Sequence, residues 1–147
     1  MQQRSEVSIL LVEDNPQDLE MTMRALRKNN VTNRIDVAKD GEEALEYLFR
    51  KGRYEKLDSQ KLPDVVFLDL KLPKVDGIEV LRQIKSDPRT RVIPVVVLTS
   101  SAEETDRIES YNLGVNSYVV KPIQFDSFVR AISEVGYYWM AVNRPPG

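Results

Sequence analysis

Three short, continuous apolar runs constrain most strongly what this chain can fold into. They span residues 9–12, 65–68 and 95–98, and they consist of leucine, phenylalanine and β-branched residues. Runs of this length and composition are typical of strands buried on both faces of a parallel sheet. Segments 34–38 and 117–120 mix polar with apolar residues, which predicts the two edge strands of the same sheet.

Helical periodicity occupies the sequence between these runs. Amphipathic stretches begin near Leu19, Ala44, Ile78, Ser101 and Phe125, which predicts five helices alternating with five strands. This alternation indicates an α/β fold with a parallel sheet, although periodicity alone leaves the strand order open. Residues 52–63 are predicted to form a long polar connection before the third strand.

Composition excludes several classes of function. The chain has 147 residues, enough for one domain, and it contains no cysteine and no histidine. Disulfides, thiolate or imidazole metal sites and Ser-His-Asp catalysis are therefore excluded. The 21 basic and 23 acidic residues nearly balance, so we expect no nucleic-acid partner. The chain shows no signal-peptide pattern and no bilayer-spanning apolar run, so we expect no membrane association and a cytoplasmic location.

Polar side chains follow the central runs and the last strand, at Glu13, Asp14, Asp69, Thr99 and Lys121. Because parallel strands end at one edge of a sheet, we expect these side chains to meet there. Three carboxylates together repel one another, and a bound Mg²⁺ relieves that repulsion. A carboxylate beside Mg²⁺ can take a phosphoryl group, with the lysine and the hydroxyl contacting its oxygens. Each residue alone is more simply a helix cap or a surface residue, and the joint pattern favours phosphoryl chemistry.

Four motifs in this sequence resemble the receiver domain of two-component response regulators. They are LVEDN at 11–15, VFLDLKLP at 66–73 with Asp76-Gly77 after it, VLTS at 97–100 and YVVKP at 118–122. The resemblance covers residues 8 to 135. It implies a doubly wound five-stranded parallel sheet in flavodoxin-like order 2-1-3-4-5. The expected domain is 8–136, with a polar tail at 1–7 and an aromatic extension at 137–147.

The resemblance also implies roles for the residues at the strand ends. Asp69 would accept the phosphoryl group from a sensor histidine kinase. Asp14, Asp69 and the backbone carbonyl of Lys71 would hold Mg²⁺, and Glu13 would act through a water molecule. Lys121 would contact the phosphoryl oxygens. On this interpretation the chain is a phosphoacceptor signalling protein that assists its own phosphorylation and dephosphorylation, and not an enzyme with a separate substrate.

A conformational switch is a further implication of the resemblance. The Thr99 hydroxyl would move toward the phosphoryl group, and Tyr118 would rotate inward behind it. The face made by the fourth helix, the fifth strand and the fifth helix would then change shape for protein partners. The bond between Lys121 and Pro122 would be cis, which costs an X-Pro bond about 0.5–1 kcal/mol.

A narrower similarity is to the stand-alone regulators that partner bacterial phytochromes. It rests on the long connection at 52–63, on residues 93–99 and on the aromatic C-terminus. In that group the last helix and tail help to form a homodimer. Here the aromatic side chains are Tyr137, Tyr138 and Trp139. Two alternatives remain open for them: they form dimer contacts, or they pack on their own domain. The output is likewise open between protein binding, dimer formation and onward transfer to a phosphotransfer protein.

Three other functions compete with the receiver interpretation. Haloacid-dehalogenase-type phosphatases place a second aspartate two positions after the first, where this chain has Lys71. Flavodoxin-like flavin modules have a phosphate loop rich in Ser, Thr and Gly after the first strand, whereas Glu13 and Asp14 would repel a phosphate. An interaction module that has lost the chemistry is disfavoured because the full set of polar residues is present.

Overall fold

The computed structural model describes residues 8–28, 34–56, 62–99, 114–115 and 117–120, together with Asp126, Arg130 and Glu134. All five predicted strands are present, at β1 (Ser8–Val12), β2 (Arg34–Ala38), β3 (Val65–Asp69), β4 (Val95–Thr99) and β5 (Ser117–Val120). Three helices are described in full: α1 (Pro16–Lys28), α2 (Gly41–Phe49) and α3 (Gly77–Ser86).

The five strands form one parallel sheet in the order β2-β1-β3-β4-β5. β2 and β5 are the edge strands, as their mixed composition predicts. The strand order that periodicity left open is the flavodoxin-like order implied by the resemblance. Strand order reverses between β1 and β3, and the carboxyl ends of these two strands therefore border the crevice where ligands bind in open α/β sheets.

The core lies on both faces of the sheet, because alternate side chains of each strand point in opposite directions. On one face, Leu10, Val66 and Val97 pack with residues of α2 and α3 in one buried cluster. On the other face, Leu11 and Phe67 belong to a second cluster, against which residues of α1 pack. The central strands are consequently buried from both sides, which explains their unbroken apolar sequence.

Local capping fixes where the first two helices begin. The Asn15 Oδ1 atom accepts hydrogen bonds from the backbone N–H groups of Gln17 (2.9 Å) and Asp18 (3.0 Å), which caps α1. At α2, the Asp40 Oδ1 atom accepts from the Glu43 N–H at 2.7 Å. The Glu43 carboxylate in turn accepts from the Lys39 N–H at 3.0 Å, so Asp40 and Glu43 form a capping box in a version shifted by one residue.

The connection after α2 differs from the expected plain polar linker. A 3₁₀ helix occupies Gly52–Tyr54. The Tyr54 ring meets the Tyr47 ring edge to face, with centroids 5.2 Å apart. The Tyr54 hydroxyl donates to Glu43 Oε2 at 2.6 Å, and Arg53 donates to Glu46 Oε1 at 2.7 Å. The first part of the connection is therefore fixed on α2 by a pair of tyrosines and two carboxylates.

Several predictions fall outside the described residues. The helix predicted to begin at Ser101 lies there, as do the aromatic side chains Tyr137, Tyr138 and Trp139. Of the fifth predicted helix, Asp126, Arg130 and Glu134 are described, and all three are helical and exposed. Within the described part of the chain, no helix combines the length and the apolar character needed to cross a bilayer.

Candidate functional site

Three carboxylates meet at the carboxyl ends of the central strands. Val12 pairs with Leu68 across β1 and β3, so the residues that follow this pair, Glu13 and Asp69, lie side by side. With Asp14, they form a group whose carboxylate oxygens all lie within 4.8 Å of one another. Of the five side chains that the sequence predicts to meet at one edge of the sheet, these three carboxylates do meet.

The acidic pair after β1 does not cap the following helix. That role belongs to Asn15, whose side chain accepts from two N–H groups of the first turn. Glu13 is completely buried, and its Oε2 atom accepts a hydrogen bond from the Asn15 N–H at 3.1 Å. Asp14 is exposed. One carboxylate thus lies beneath the site and the other faces solvent, so the simpler interpretation of this pair as a cap does not hold.

Asp69 is the member of the group that lies at the last position of β3. Its side chain is 3% exposed. The backbone N–H of Lys71 donates to Asp69 Oδ1 at 3.1 Å, which orients the carboxylate. Asp69 pairs with Leu98 of β4, and the next residue of β4 is Thr99. A buried, oriented carboxylate therefore lies one strand away from a hydroxyl.

The other predicted site residues divide between the described and undescribed parts of the chain. Thr99 is fully buried at the end of β4. Tyr118 lies on β5, which pairs with β4, and its side chain is partly buried against the core cluster of α2 and α3. Lys121 and Pro122 follow β5 in the chain and lie outside the described residues.

The loop after β3 borders an open cleft beside the carboxylates. This cleft has a volume of about 370 Å³ and is lined by Asp14, by residues 70–73, and by Asp76 and Ile78. The Lys71 side chain is exposed at its rim. Solvent and a small ligand can therefore reach the exposed edge of the acidic group.

The donor set fits a hard divalent cation. Three carboxylates offer oxygen ligands within 4.8 Å of one another, and Mg²⁺ takes one or two protein carboxylates while keeping several waters. The mixed burial matches this preference, because buried carboxylates can orient the ion while the exposed Asp14 and the cleft leave room for water.

Two glycines near the site have a structural role that the sequence analysis did not predict. A Cβ atom on Gly77 would lie 2.5 Å from the Leu70 Cα and 2.6 Å from the Asp69 carbonyl oxygen. A Cβ on Gly41 would lie 2.8 Å from the backbone carbon of Val75. Gly77 entered the sequence analysis only as part of a motif, and Gly41 did not enter it. Such close backbone approaches leave no periodic signal in a single sequence.

Comparison with known families agrees with this geometry. The model of the response regulator receiver domain matches residues 9–133. The "Probable methanogenesis regulatory protein FilR2" of Methanothrix harundinacea is 47% identical over 139 residues, covering 95% of this chain and 87% of that protein. Response regulator Rcp1 of Synechocystis is 37% identical over 132 residues, covering 90% of this chain and 88% of that protein.

Solved structures are similar over the same extent. The bacteriophytochrome response regulator RtBRR has a TM-score of 0.85 and 50% identity, covering 96% of this chain and 84% of that one. The Mn²⁺-bound form of response regulator Rcp1 has a TM-score of 0.76 and 37% identity, covering 95% of this chain and 99% of that one. The similarity therefore extends along nearly the whole chain and includes a protein that binds a divalent cation.

Proposed function

The chain belongs to the response regulator receiver family, and from this membership we propose that it accepts a phosphoryl group on Asp69 from a sensor histidine kinase. The observation that carries the proposal is the meeting of Glu13, Asp14 and Asp69 at the carboxyl ends of β1 and β3. Receiver proteins of this family are signalling proteins, and this chain retains the acidic group that their chemistry requires.

The nucleophile in this proposal is a carboxylate oxygen of Asp69. It forms a P–O bond as the P–N bond of the donor's phosphohistidine breaks, and the leaving imidazole takes up a proton. The Lys71 N–H bond to Oδ1 holds the carboxylate in one orientation, so the entropy of aligning it is lost before the donor arrives. The burial of Asp69 limits the access of bulk water to the acyl phosphate that results.

Mg²⁺ is the cofactor in this proposal, and it supplies positive charge where phosphoryl and carboxylate oxygens crowd together. Asp14, Asp69 and the Lys71 carbonyl would hold it, and Glu13 would act through a water molecule. The Mn²⁺-bound form of Rcp1 supports this assignment, as does the donor set of three oxygens within 4.8 Å.

The remaining roles concern the response to phosphorylation. We assign the Thr99 hydroxyl and the Lys121 ammonium group to the phosphoryl oxygens, and Tyr118 to the switch that follows. The parallel pairing of β4 with β5 supports the coupling, because Val97 pairs with Tyr118 two residues before Thr99. The expected readout is a change on the face that contains β5 and the helices on either side of it in the chain.

The kinase proposed as partner is of the phytochrome type. The 50% identity to the bacteriophytochrome response regulator RtBRR supports this choice. The same resemblance supports a homodimer with contacts from Tyr137, Tyr138 and Trp139, and a cytoplasmic location, where such kinases present their phosphohistidine. Onward transfer to a separate phosphotransfer protein is the alternative output.

Phosphotransfer from a purified kinase tests the proposal. A bacteriophytochrome histidine kinase is phosphorylated with labelled ATP and mixed with the parent protein, with Asp69→Asn and with the parent plus a chelator. The proposal predicts that label is transferred to the parent without chelator, and neither to Asp69→Asn nor to the parent with chelator. Label retained by Asp69→Asn would contradict the site. Label accepted only from a histidine kinase without a phytochrome sensor would keep the phosphoacceptor role and contradict the proposed partner.

A further inference from the structure

The loop between β3 and α3, residues 70–76, connects the site to the helices of one face of the sheet. It begins directly after Asp69 and carries Lys71, whose N–H orients the Asp69 carboxylate. The position of this loop therefore sets the position of two groups in the proposed metal site. The contacts that hold the loop in place therefore affect the geometry of the proposed metal site.

Two helix N-termini hold the loop through backbone hydrogen bonds. At α3, the Gly77 N–H donates to the Leu70 carbonyl at 3.1 Å. At α2, the Gly41 N–H donates to the Pro73 carbonyl at 3.3 Å, and this carbonyl also accepts from the Val75 N–H at 2.9 Å. The loop is thus fixed at its start by the helix that follows it and in its middle by a helix that precedes β3.

The contact with α2 requires glycine. A Cβ atom on Gly41 would overlap the carbonyl oxygen of Val75 and would lie 2.8 Å from the Val75 carbonyl carbon and Cβ. Backbone atoms cannot rotate away as a side chain does, so any larger residue at position 41 must push the loop off the helix. The backbone of α2 and the backbone of the loop are in direct contact at this point.

The backbone conformation of the loop is one that the chain does not favour by itself, so contacts with the rest of the protein must maintain it. Lys74 has a φ of 70°, in the left-handed region that residues with a side chain rarely adopt. Its ammonium group lies 3.6 Å from Glu42 Oε1 and 3.9 Å from Asp40 Oδ2, at the start of α2. The loop therefore approaches the first turn of α2 with its backbone and with a complementary charge.

We propose that Gly41 is a positioning residue for the phosphorylation site, because it lets the first turn of α2 brace the loop that carries Lys71. The proposal rests on the function proposed above and adds to it a residue that touches neither the metal nor the phosphoryl group. A packing defect at position 41 would be transmitted through Pro73 and Val75 to Lys71. The expected consequence is weaker Mg²⁺ binding, and not merely a less stable protein.

Two measurements on Gly41→Ala test this proposal. Groups that orient metal ligands typically change affinity by 10–100-fold when mutated, so we expect calorimetry to give a Mg²⁺ dissociation constant about ten-fold higher than that of the parent. In the metal-free protein, the amide protons of Val75 and Gly77 should exchange faster with solvent. The Val66 amide, which donates to the Pro94 carbonyl at 3.0 Å near the amino end of β3, should be unchanged.

Ala44→Gly is the matched control. It weakens the same helix by removing a buried methyl group and adding backbone freedom, but position 44 does not contact the loop in any of the bonds above. A purely structural role for Gly41 predicts that both variants lower the melting temperature and that both have the same Mg²⁺ dissociation constant. The positioning role predicts that the dissociation constant rises in Gly41→Ala and that Ala44→Gly keeps the parent value.

Asp40→Ala carries the test if Gly41→Ala does not fold. It removes the cap bond to the Glu43 N–H and one charge facing Lys74, so it should loosen the first turn of α2 and shift affinity in the same direction by a smaller factor. Unchanged affinity and unchanged Val75 exchange in the folded variants would overturn the proposal. A parent that binds no Mg²⁺ would instead contradict the proposed function, and the exchange data would still decide whether the loop is braced.

Discussion

The backbone N–H of Lys71 donates a 3.1 Å hydrogen bond to Oδ1 of Asp69, and an asparagine at position 69 retains an oxygen in that place. Asp69→Asn should therefore fold as the parent does. It also removes one charge from three carboxylates whose oxygens lie within 4.8 Å. Since two like charges about 4 Å apart repel by about 1 to 4 kcal/mol in water-like to protein-like surroundings, we expect metal-free Asp69→Asn to be more stable by about 1–2 kcal/mol.

Urea denaturation in the presence of a chelator measures this difference in the free energy of unfolding. Asp126→Asn is the control, because Asp126 is an exposed helical residue and its replacement should change stability by less than about 0.5 kcal/mol. If metal-free Asp69→Asn were less stable than the parent, repulsion among the three carboxylates would not be what destabilises the metal-free protein.

Asp14 should matter for Mg²⁺ binding and little for folding. It is the exposed member of the acidic group, so Asp14→Asn should leave metal-free stability unchanged or slightly raised. Mg²⁺ at a hundred times its dissociation constant should stabilise the parent by about 2.7 kcal/mol, and the variant should lose most of this gain. Thermal unfolding with and without Mg²⁺ checks the prediction. Glu20→Gln, an exposed change on α1, should keep the full gain; equal gains for all three proteins would contradict it.

Gly77 should tolerate substitution less well than Gly114. A Cβ on Gly77 would lie 2.5 Å from the Leu70 Cα and 2.6 Å from the Asp69 carbonyl oxygen, and overpacking of this kind costs about 1–3 kcal/mol or more. Gly114 has a φ of 71° but open space around its Cβ position, so Gly114→Ala should cost only the left-handed strain of about 1–2 kcal/mol. Chemical denaturation of both variants ranks them, and a larger loss for Gly114→Ala would be the contrary result.

Tyr47 should make stability depend on alkaline pH. Burial, together with its hydrogen bond to Asp36 (2.5 Å), raises the pKa of Tyr47 to about 12. A raised pKa means that the folded state holds the proton more tightly than the unfolded state, whose tyrosine pKa is about 10. The resulting stabilisation is complete below pH 10 and is lost as the pH rises toward 12; for a two-unit shift it amounts to about 2–3 kcal/mol.

Comparison with Tyr47→Phe isolates this contribution. The variant should be less stable than the parent near neutral pH by about 1–2 kcal/mol, because it leaves Asp36 without the hydroxyl donor. The difference should shrink between about pH 10 and 12. Burial and the hydrogen bond to Glu43 also raise the pKa of Tyr54 to about 12. Because Tyr54 titrates in both proteins, its contribution cancels in the difference between them. A difference that stays constant across that range would contradict the assignment.

Sequence patterns predicted the sheet and the acidic group because both arise from strong, local signals. The runs at 9–12, 65–68 and 95–98 are apolar because both faces of their strands are buried. The carboxylates after the first two runs meet because parallel strands end at one edge. The order of the strands follows from long-range pairing, which no periodicity encodes, and only the resemblance supplied it.

The parts that the sequence left unpredicted depend on contacts between distant segments. The 3₁₀ helix Gly52–Tyr54 forms where Tyr54 meets Tyr47, and a polar stretch gives no sign of that packing. Gly41 and the loop at 70–76 are separated by about thirty positions, and their contact is between backbones. Such positions show in a single sequence only as a glycine, a residue that also occurs in many turns.

Intact mass spectrometry after incubation with Mg²⁺ and a small acyl phosphate tests the central claim most directly. The parent protein should gain one phosphoryl group, and Asp69→Asn, measured in parallel and shown to be folded, should gain none. A folded parent that gains no phosphoryl group under these conditions, even with a histidine kinase supplied, would contradict the assignment of Asp69 as the phosphoacceptor.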